Sequence, residues 1–513
     1  MAIITVSSGG NISVIQYNPD NNTTLADILY NNGFPLNTVC GGTGFCKKCL
    51  VIVDNIPQKA CSYIPCKDIT VSIPKSSLLQ ANIPGTHVTN TTVSKQYIGT
   101  NTETASVSDK TANVFDSISV AIDIGSTSVS TSLVGMGRKK DDFAVIDTST
   151  IFNPTVRYGS DVIARVQASA GGRKDAMSSI LIDTLESEVK RLITSNHLEA
   201  IPVNSIYISC NTIMQHLLLG LDCTGILAYP FTPVPFDHNF VYKEISVFII
   251  PSFSTFVGGD IVSGLYYLDK PQYRRYILLD LGTNAEMVLV DGDRTFCTSA
   301  AAGPAFEGAG ISCGCAYIKG AVRNVTIKPK QNKTTFSISY KTIDNKLPVG
   351  ICGSGIMDIY SQFVTNHIID ENKTFVDKYM ESGFEITKSA AGPIVITQQD
   401  IRHIQLAVSA IKTGIDILLR RSGLSASDIE KVYIAGSFGS SLQPEAIKNT
   451  NLLPKEFINR QIIQFSGNTS LSGAIKCAVD RCCTDSFNEI MGAYTEIELA
   501  NDSEFNSLFI GNL

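Results

Sequence analysis

No stretch of this 513-residue sequence holds the roughly 18 consecutive apolar residues that a bilayer-spanning helix needs, so no membrane span is expected. The opening residues, MAIITVSSGG, lack a basic segment followed by an apolar one, so no secretory signal is expected either. Basic residues are not in excess. Lys and Arg number 41 against 47 Asp and Glu, and the net charge of −6 argues against a non-specific grip on nucleic-acid phosphates. The disulfide framework of short secreted chains is missing too, because the 14 cysteines are mostly scattered through a long chain. A reducing cytoplasm fits best, with most thiols serving as small buried apolar groups. With 44% hydrophobic and 17% charged residues, the chain has the balance of a folded protein and length for several domains.

Three regions differ in pattern. In residues 1–74, IITV and ISVIQY read as strands around the turn SSGGN, and TTLADILYNNG as a short helix capped by Thr. CLVIV and DITVSIP add two strands. Residues 75–115 are rich in Ser, Thr and Asn with no sustained period, and read as a flexible linker. Residues 116–513 alternate β-branched runs with helical stretches, as an α/β protein does.

The stretch VCGGTGFCKKCLVIV concentrates Cys40, Cys46 and Cys49, and Cys61 follows in QKACSYIPC. The spacing Cys-x5-Cys-x2-Cys-x11-Cys has one short knuckle where a zinc ribbon needs two. It is one residue longer in its first gap than the Cys-x4-Cys-x2-Cys loop of plant-type [2Fe–2S] proteins, and a [2Fe–2S] cluster is expected. The intervening glycines let backbone amides turn toward the sulfides. Cys61 is preferred as fourth ligand, with Cys66 as the alternative.

Two turns share one plan 157 residues apart. In AIDIGSTS, Asp123 ends a strand before Gly125, Ser126 and Thr127; in LLDLGTNAE, Asp280 precedes Gly282, Thr283 and Asn284. Such turns offer N–H groups and hydroxyls to an anion, and the carboxylate can hold Mg²⁺ through water. A third glycine turn, IAGSFGSS, carries Gly436, Ser437 and Gly439.

Together these resemble the phosphate-1, phosphate-2 and adenosine segments of the ATPase superfamily of actin, sugar kinases and heat-shock ATPases. The resemblance implies two ribonuclease-H-like subdomains closing over Mg-ATP, the second beginning near residue 272, behind an N-terminal β-grasp [2Fe–2S] ferredoxin domain. By analogy with activator ATPases, Gly303 and Glu307 in AAAGPAFEGAG approach the nucleotide, with Glu307 on the ribose or serving only as a helix carboxylate. Gly353 and Gly355 in GICGSGIMD border the adenine. Asp260 in FVGGDIVSG stands where the superfamily places a group near the attacking water, or is a helix cap; Glu286 is the alternative.

The segments NPTVRYGSDVIARV, CNTIMQHLLLGL, AAGPAFEGAGI, GICGSGIMD, DIRHIQLAVSAIKTGID and AGSFG are similar to those of the reductive activators of corrinoid-dependent enzymes. That resemblance covers all but 75–115. It implies ATP-assisted transfer of one electron to a Co(II) corrinoid protein, restoring Co(I) for methyl transfer, with a low-potential donor upstream and room for a homodimer. A plant-type cluster lies near about −400 mV. A shortfall of about 100 mV against cobalt amounts to roughly 2.3 kcal/mol, which nucleotide-driven conformational bias can offset. Two other readings stay open: an activator of a different low-potential metalloenzyme, and a small-molecule kinase with an appended ferredoxin. The clusters ISCGCAY and AIKCAVDRCCTD lack ferredoxin spacing, and His216, in an apolar run, is expected to be a packing residue.

Overall fold

The structure is a computed structural model that describes residues 2–8, 11–19, 23–32, 34, 36, 49–74, 77, 115–139, 142–159, 162–268, 272–308, 310–315, 318–331, 335–389, 392–436, 442–481, 483–492 and 494–513. At the N-terminal end, strands β1 (Ala2–Ser8), β2 (Asn11–Tyr17), β3 (Leu50–Val53), β4 (Ile56–Lys59) and β5 (Ile69–Ile73) form one mixed sheet in the order β2-β1-β5-β3-β4. Alternation drives it: Ile4 and Val6, Val51 and Val53, and Ile69, Val71 and Ile73 turn to one face. The helix Leu25–Asn31 covers that face with Leu25, Ile28 and Leu29. Thr24 caps it as expected, accepting the Asp27 N–H. Strand β4 was not expected. IPQK carries a proline, tolerated here because the strand lies at the sheet's edge. Asp54 and Asn55, both at positive φ, turn β3 back into it.

The larger part holds two sheets of one design. The first comprises β6 (Ser117–Ile124), β7 (Ser128–Met136), β8 (Phe143–Phe152), β9 (Val203–Cys210), β10 (Asn239–Tyr242) and β11 (Ile245–Ile249). Its order is β10-β11-β9-β6-β7-β8, with β6, β7 and β8 antiparallel and β9 and β11 parallel to β6. The second begins with β12 (Arg275–Leu281), β13 (Ala285–Asp291) and β14 (Arg294–Ala300), an antiparallel meander like the first. Strands β15 (Ala321–Pro329), β16 (Phe336–Thr342) and β17 (Gly350–Ile351), and the hairpin β18 (Phe384–Ser389) and β19 (Gly392–Ile396), form small sheets beside it. Strands β20 (Lys431–Ala435) and β21 (Ile463–Gly467) then join parallel to β12, and β22 (Tyr494–Glu496) closes the far edge. Three antiparallel strands followed by two parallel ones thus recur in both sheets. The two sheets repeat one α/β design, as the repeated Asp-Gly turns imply.

Between the sheets lie two helices, Gly259–Leu268 and Thr469–Asp480, sharing a core of Ala121, Val134, Phe248, Leu278, Val288 and Tyr433. They touch almost backbone to backbone, since a β-carbon on Gly473 would stand 2.0 Å from the Ser263 carbonyl oxygen. The helix Gln398–Ser422 covers the outer side of the second sheet. It starts at a Thr397–Asp400 capping box and buries Ile401, Ile404, Val408, Ile411, Ile415 and Leu418 at helical spacing.

Candidate functional site

Asp123 sits near the end of β6, one residue before the turn into β7. Its carboxylate accepts two hydrogen bonds, from Asn468 Nδ2 and Ser470 Oγ, each at 2.7 Å. Both donors belong to the start of the interdomain helix Thr469–Asp480, for which Asn468 is also the N-cap, accepting Leu471 N–H at 2.8 Å. Burial raises the Asp123 pKa, and the two hydrogen bonds partly offset that rise.

Around Asp123 gather the other acids singled out in the sequence. Asp260 lies in the first turn of the helix Gly259–Leu268 and accepts the N–H of its neighbour Ile261 at 3.0 Å, which is not the two- or three-residue reach of a cap. Desolvation, with the Asp123 charge beside it, pushes its pKa up to about 7. Glu286, on β13, is raised well above the usual carboxylate range by burial and by Asp260 and Asp280. Ser299 Oγ reaches it at 3.5 Å. Four carboxylates separated by up to 163 positions therefore share one field at the junction of the two sheets. Among the described residues, no group of three or more His, Cys, Asp or Glu is arranged to hold a metal ion directly.

The two glycine turns face each other. Ser126 Oγ and Thr283 Oγ1, the corresponding hydroxyls of the two copies, lie 3.5 Å apart. Each turn is closed by its own backbone, Gly125 N–H to Ser128 O and Gly282 N–H to Asn284 O, both at 2.9 Å. Gly436 follows β20 with φ +88°, and a β-carbon there would meet Leu281 O at 2.7 Å and Asp280 Oδ1 at 2.8 Å. Only glycine fits so close to the second turn while holding a left-handed backbone. Ser437 and Gly439 lie outside the described residues. Gly303 holds a turn at φ +77° after β14, Glu307 ends the short 3₁₀ turn Pro304–Glu307, and Gly353 and Gly355 open the helix Gly353–Thr365 against β15.

Three residues that hold this site were not singled out from the sequence. Asn468 and Ser470 stand in SGNTSLS, where an Asn before a small-residue helix announces a cap but not a partner 345 residues away. Asn153, after β8, donates from Nδ2 to Gly125 O at 2.7 Å and from its backbone to Thr127 O at 3.0 Å, clasping the first turn. Its Asn-Pro step is visible as a helix start; the clasp is not.

Of the cysteine group, Cys40 and Cys46 lie outside the described residues. Cys49 and Cys61 are both buried and hydrogen-bond through their side chains, which lowers the Cys49 pKa to about 6. Strand β4 accounts for the meeting, since it carries the chain back until Ala60 N–H bonds Cys49 O at 3.1 Å. Cys66 is exposed. A pair of adjacent buried thiols is the donor chemistry that an iron–sulfur cluster takes. His216 is buried and satisfied as a packing residue, with Nδ1 at 2.8 Å from Thr212 O and Nε2 accepting Val234 N–H at 2.9 Å. Cys315, half-buried, has its thiol pKa pushed up to about 12 by desolvation.

Comparison with known proteins agrees with this arrangement. Residues 118–270 match the family model described as the RACo middle region, and residues 274–513 match the C-terminal domain of RACo, the ASKHA domain. The chain is 27% identical to the corrinoid activation enzyme RamQ of Eubacterium limosum over 95% of both chains. It is 25% identical to the [Co(II) methylated amine-specific corrinoid protein] reductase of Methanosarcina barkeri, over 77% of this chain and 76% of that one. The solved structure of a reductive activator for a corrinoid, iron–sulfur protein superposes with a TM-score of 0.67 at 25% identity, over 99% of this chain and 97% of the other. With all but one residue of the two duplicated sheets inside segments that match RACo regions, the chain belongs to the family of reductive activators of corrinoid proteins.

Proposed function

We propose that this enzyme uses ATP to drive the reduction of a corrinoid protein from Co(II) to Co(I). The observation that carries the reading is the meeting of the two glycine turns, Ser126 against Thr283, over a half-buried acidic group. That geometry sits in a chain whose relatives, across nearly its full length, are named for corrinoid activation. The amides and hydroxyls of Gly125–Thr127 and Gly282–Asn284 hold the nucleotide phosphates, and Asp123 and Asp280 hold Mg²⁺ through water. Asp260, its pKa near neutral, takes the proton of the water that attacks the terminal phosphate, with Glu286 as the second candidate. Gly436, Ser437 and Gly439 serve the adenosine, together with Gly303, Glu307, Gly353 and Gly355.

Residues 1–74 form a β-grasp ferredoxin-like domain, 75–115 a linker, and 116–513 the ATPase. Cys49 and Cys61 are two of four ligands for a [2Fe–2S] cluster, completed by Cys40 and Cys46; their contact and the exposure of Cys66 support that choice. When bound, the cluster supplies one electron at low potential, taken from an external low-potential donor. The cobalt of the partner corrinoid protein is the substrate.

Anaerobic purification, a spectrum of the bound cluster, and parallel assays of ATP hydrolysis and Co(I) absorbance with a Co(II) corrinoid protein test this directly. ATP-dependent appearance of Co(I) is expected. Hydrolysis that a corrinoid protein never stimulates, with no Co(I), overturns it.

A further inference from the structure

The N-terminal unit meets the 3₁₀ helix that follows β8 at Arg157. Arg157 lies on the 3₁₀ helix Pro154–Tyr158, and its guanidinium reaches Asp27 Oδ1 at 2.6 Å, 130 residues earlier in the chain. The same guanidinium stacks over the Tyr30 ring at 4.1 Å, and Tyr158 flanks it at 5.3 Å. Arg157 and Asp27 are only 12% and 26% exposed, so solvent screens this pair less than it screens an ordinary surface pair. Both acceptors are preset. Asp27 is pinned by Thr24 Oγ1, which donates to its Oδ2 at 2.7 Å, and Tyr30 follows one turn on along the same helix. Cys40 lies nine positions beyond that helix in the sequence.

The other end of the short 3₁₀ helix runs into the first glycine turn. Asn153, its N-cap, is the residue that clasps Gly125 and Thr127. Beyond Tyr158, the chain is fastened by the fully buried Arg165, whose Nε donates to Gly159 O at 2.9 Å. A strut of five residues, fixed at both ends, thus joins the 123–127 turn to the surface on which the N-terminal unit sits. Any shift of that turn moves Asn153, and with it the position of Arg157.

We infer that Arg157 is a nucleotide-sensitive latch for the N-terminal unit, with Asp27 and Tyr30 as its catch. Occupation of the 123–127 turn by phosphate changes the hold on the N-terminal unit, and the hold changes nucleotide affinity by the same factor. This rests on the reading of 123–127 as a phosphate-binding turn. It adds that access of the N-terminal unit to its redox partners is timed by the nucleotide.

The test uses the full-length protein. Hydrogen exchange is followed in peptides covering 25–31 and 154–158, with and without a non-hydrolysable ATP analogue, in the parent, in Arg157→Ala and in the charge swap Asp27→Arg with Arg157→Asp. In the parent, the analogue is expected to change protection at 25–31 by at least about fivefold, the lower end of ordinary coupling between sites. Arg157→Ala is expected to abolish that dependence, and the swap to restore part of it. ATP hydrolysis without corrinoid protein stays within about twofold in Arg157→Ala, while ATP-dependent Co(I) formation falls at least about tenfold. Protection at 25–31 that responds equally to nucleotide in parent and Arg157→Ala overturns the latch. Failure of the functional reading shows differently: the parent itself forms no Co(I), whatever the exchange data say.

Discussion

Asn468→Ala removes two interactions at once, and the structure separates their sizes. As N-cap of the helix Thr469–Asp480, Asn468 accepts Leu471 N–H, and replacing such a cap by Ala costs about 1 kcal/mol. As donor to Asp123 Oδ2 at 2.7 Å it makes a hydrogen bond to a charged group, worth about 1.5–3 kcal/mol. The expected loss of stability is therefore about 2.5–4 kcal/mol, read from urea unfolding followed by far-UV circular dichroism. Asn468→Asp serves as the control, because Asp caps as well as Asn but sets a carboxylate against Asp123. It keeps the cap and replaces the Asp123 hydrogen bond by repulsion between two carboxylates, so its destabilisation beyond that of the cap reports on the Asp123 side alone. The pH profile of ATP hydrolysis supplies a second readout. Both hydrogen bonds lower the Asp123 pKa, so losing one raises it further above its ordinary value. Less of the carboxylate is then ionised at a given pH, and the acid limb of the profile moves to higher pH in both variants. The maximal rate is expected to fall at least about tenfold, since a loss of 1.36 kcal/mol in the transition state already gives that factor. An unmoved acid limb together with a rate within about twofold of the parent would refute the role given to this contact.

Other outcomes follow from the same geometry. Asp260, with its pKa raised to about 7, is carried against its preferred neutral form above that pH, so it subtracts stability as pH rises from the unfolded value of about 3.9 through 7. Asp260→Asn should therefore raise the urea midpoint more at pH 8 than at pH 5, by at most about 4 kcal/mol in stability, while ATP hydrolysis is lost; equal shifts at both pH values count against the buried charge. Gly436→Ala places a β-carbon 2.7 Å from Leu281 O at φ +88°, a left-handed backbone that costs an L-residue about 1–2 kcal/mol. Titration calorimetry should show ATP bound at least about tenfold more weakly, and unchanged affinity would remove Gly436 from the nucleotide site. Cys61→Ser should lose the visible absorption of the cluster while Cys66→Ser keeps it; the opposite result would exchange the two as ligands.

The Asp-Gly turns were legible because each is a local event: a β-branched strand, an acid at its end, then small and hydroxyl residues. The repeat of that plan after 157 residues already implied two similar sheets, and their matching strand order agrees with it. Strand β4 was not legible, because an exposed edge strand with a proline has neither alternation nor propensity to announce it. Yet that strand is what returns the chain from Cys49 to Cys61.

The sequence by itself determined which chemical groups this protein owns and the local geometry of each turn, since φ/ψ preference, caps and two-residue alternation act within a few positions. Only the tertiary structure decided which groups meet. Asn468 reaches Asp123 because the helix Thr469–Asp480 passes between the sheets, and Arg157 reaches Asp27 because the N-terminal helix packs beside the 3₁₀ helix Pro154–Tyr158. The near-neutral pKa of Asp260 belongs to the same category. It comes from burial beside Asp123, a property of the assembled interior that no spacing in the chain encodes.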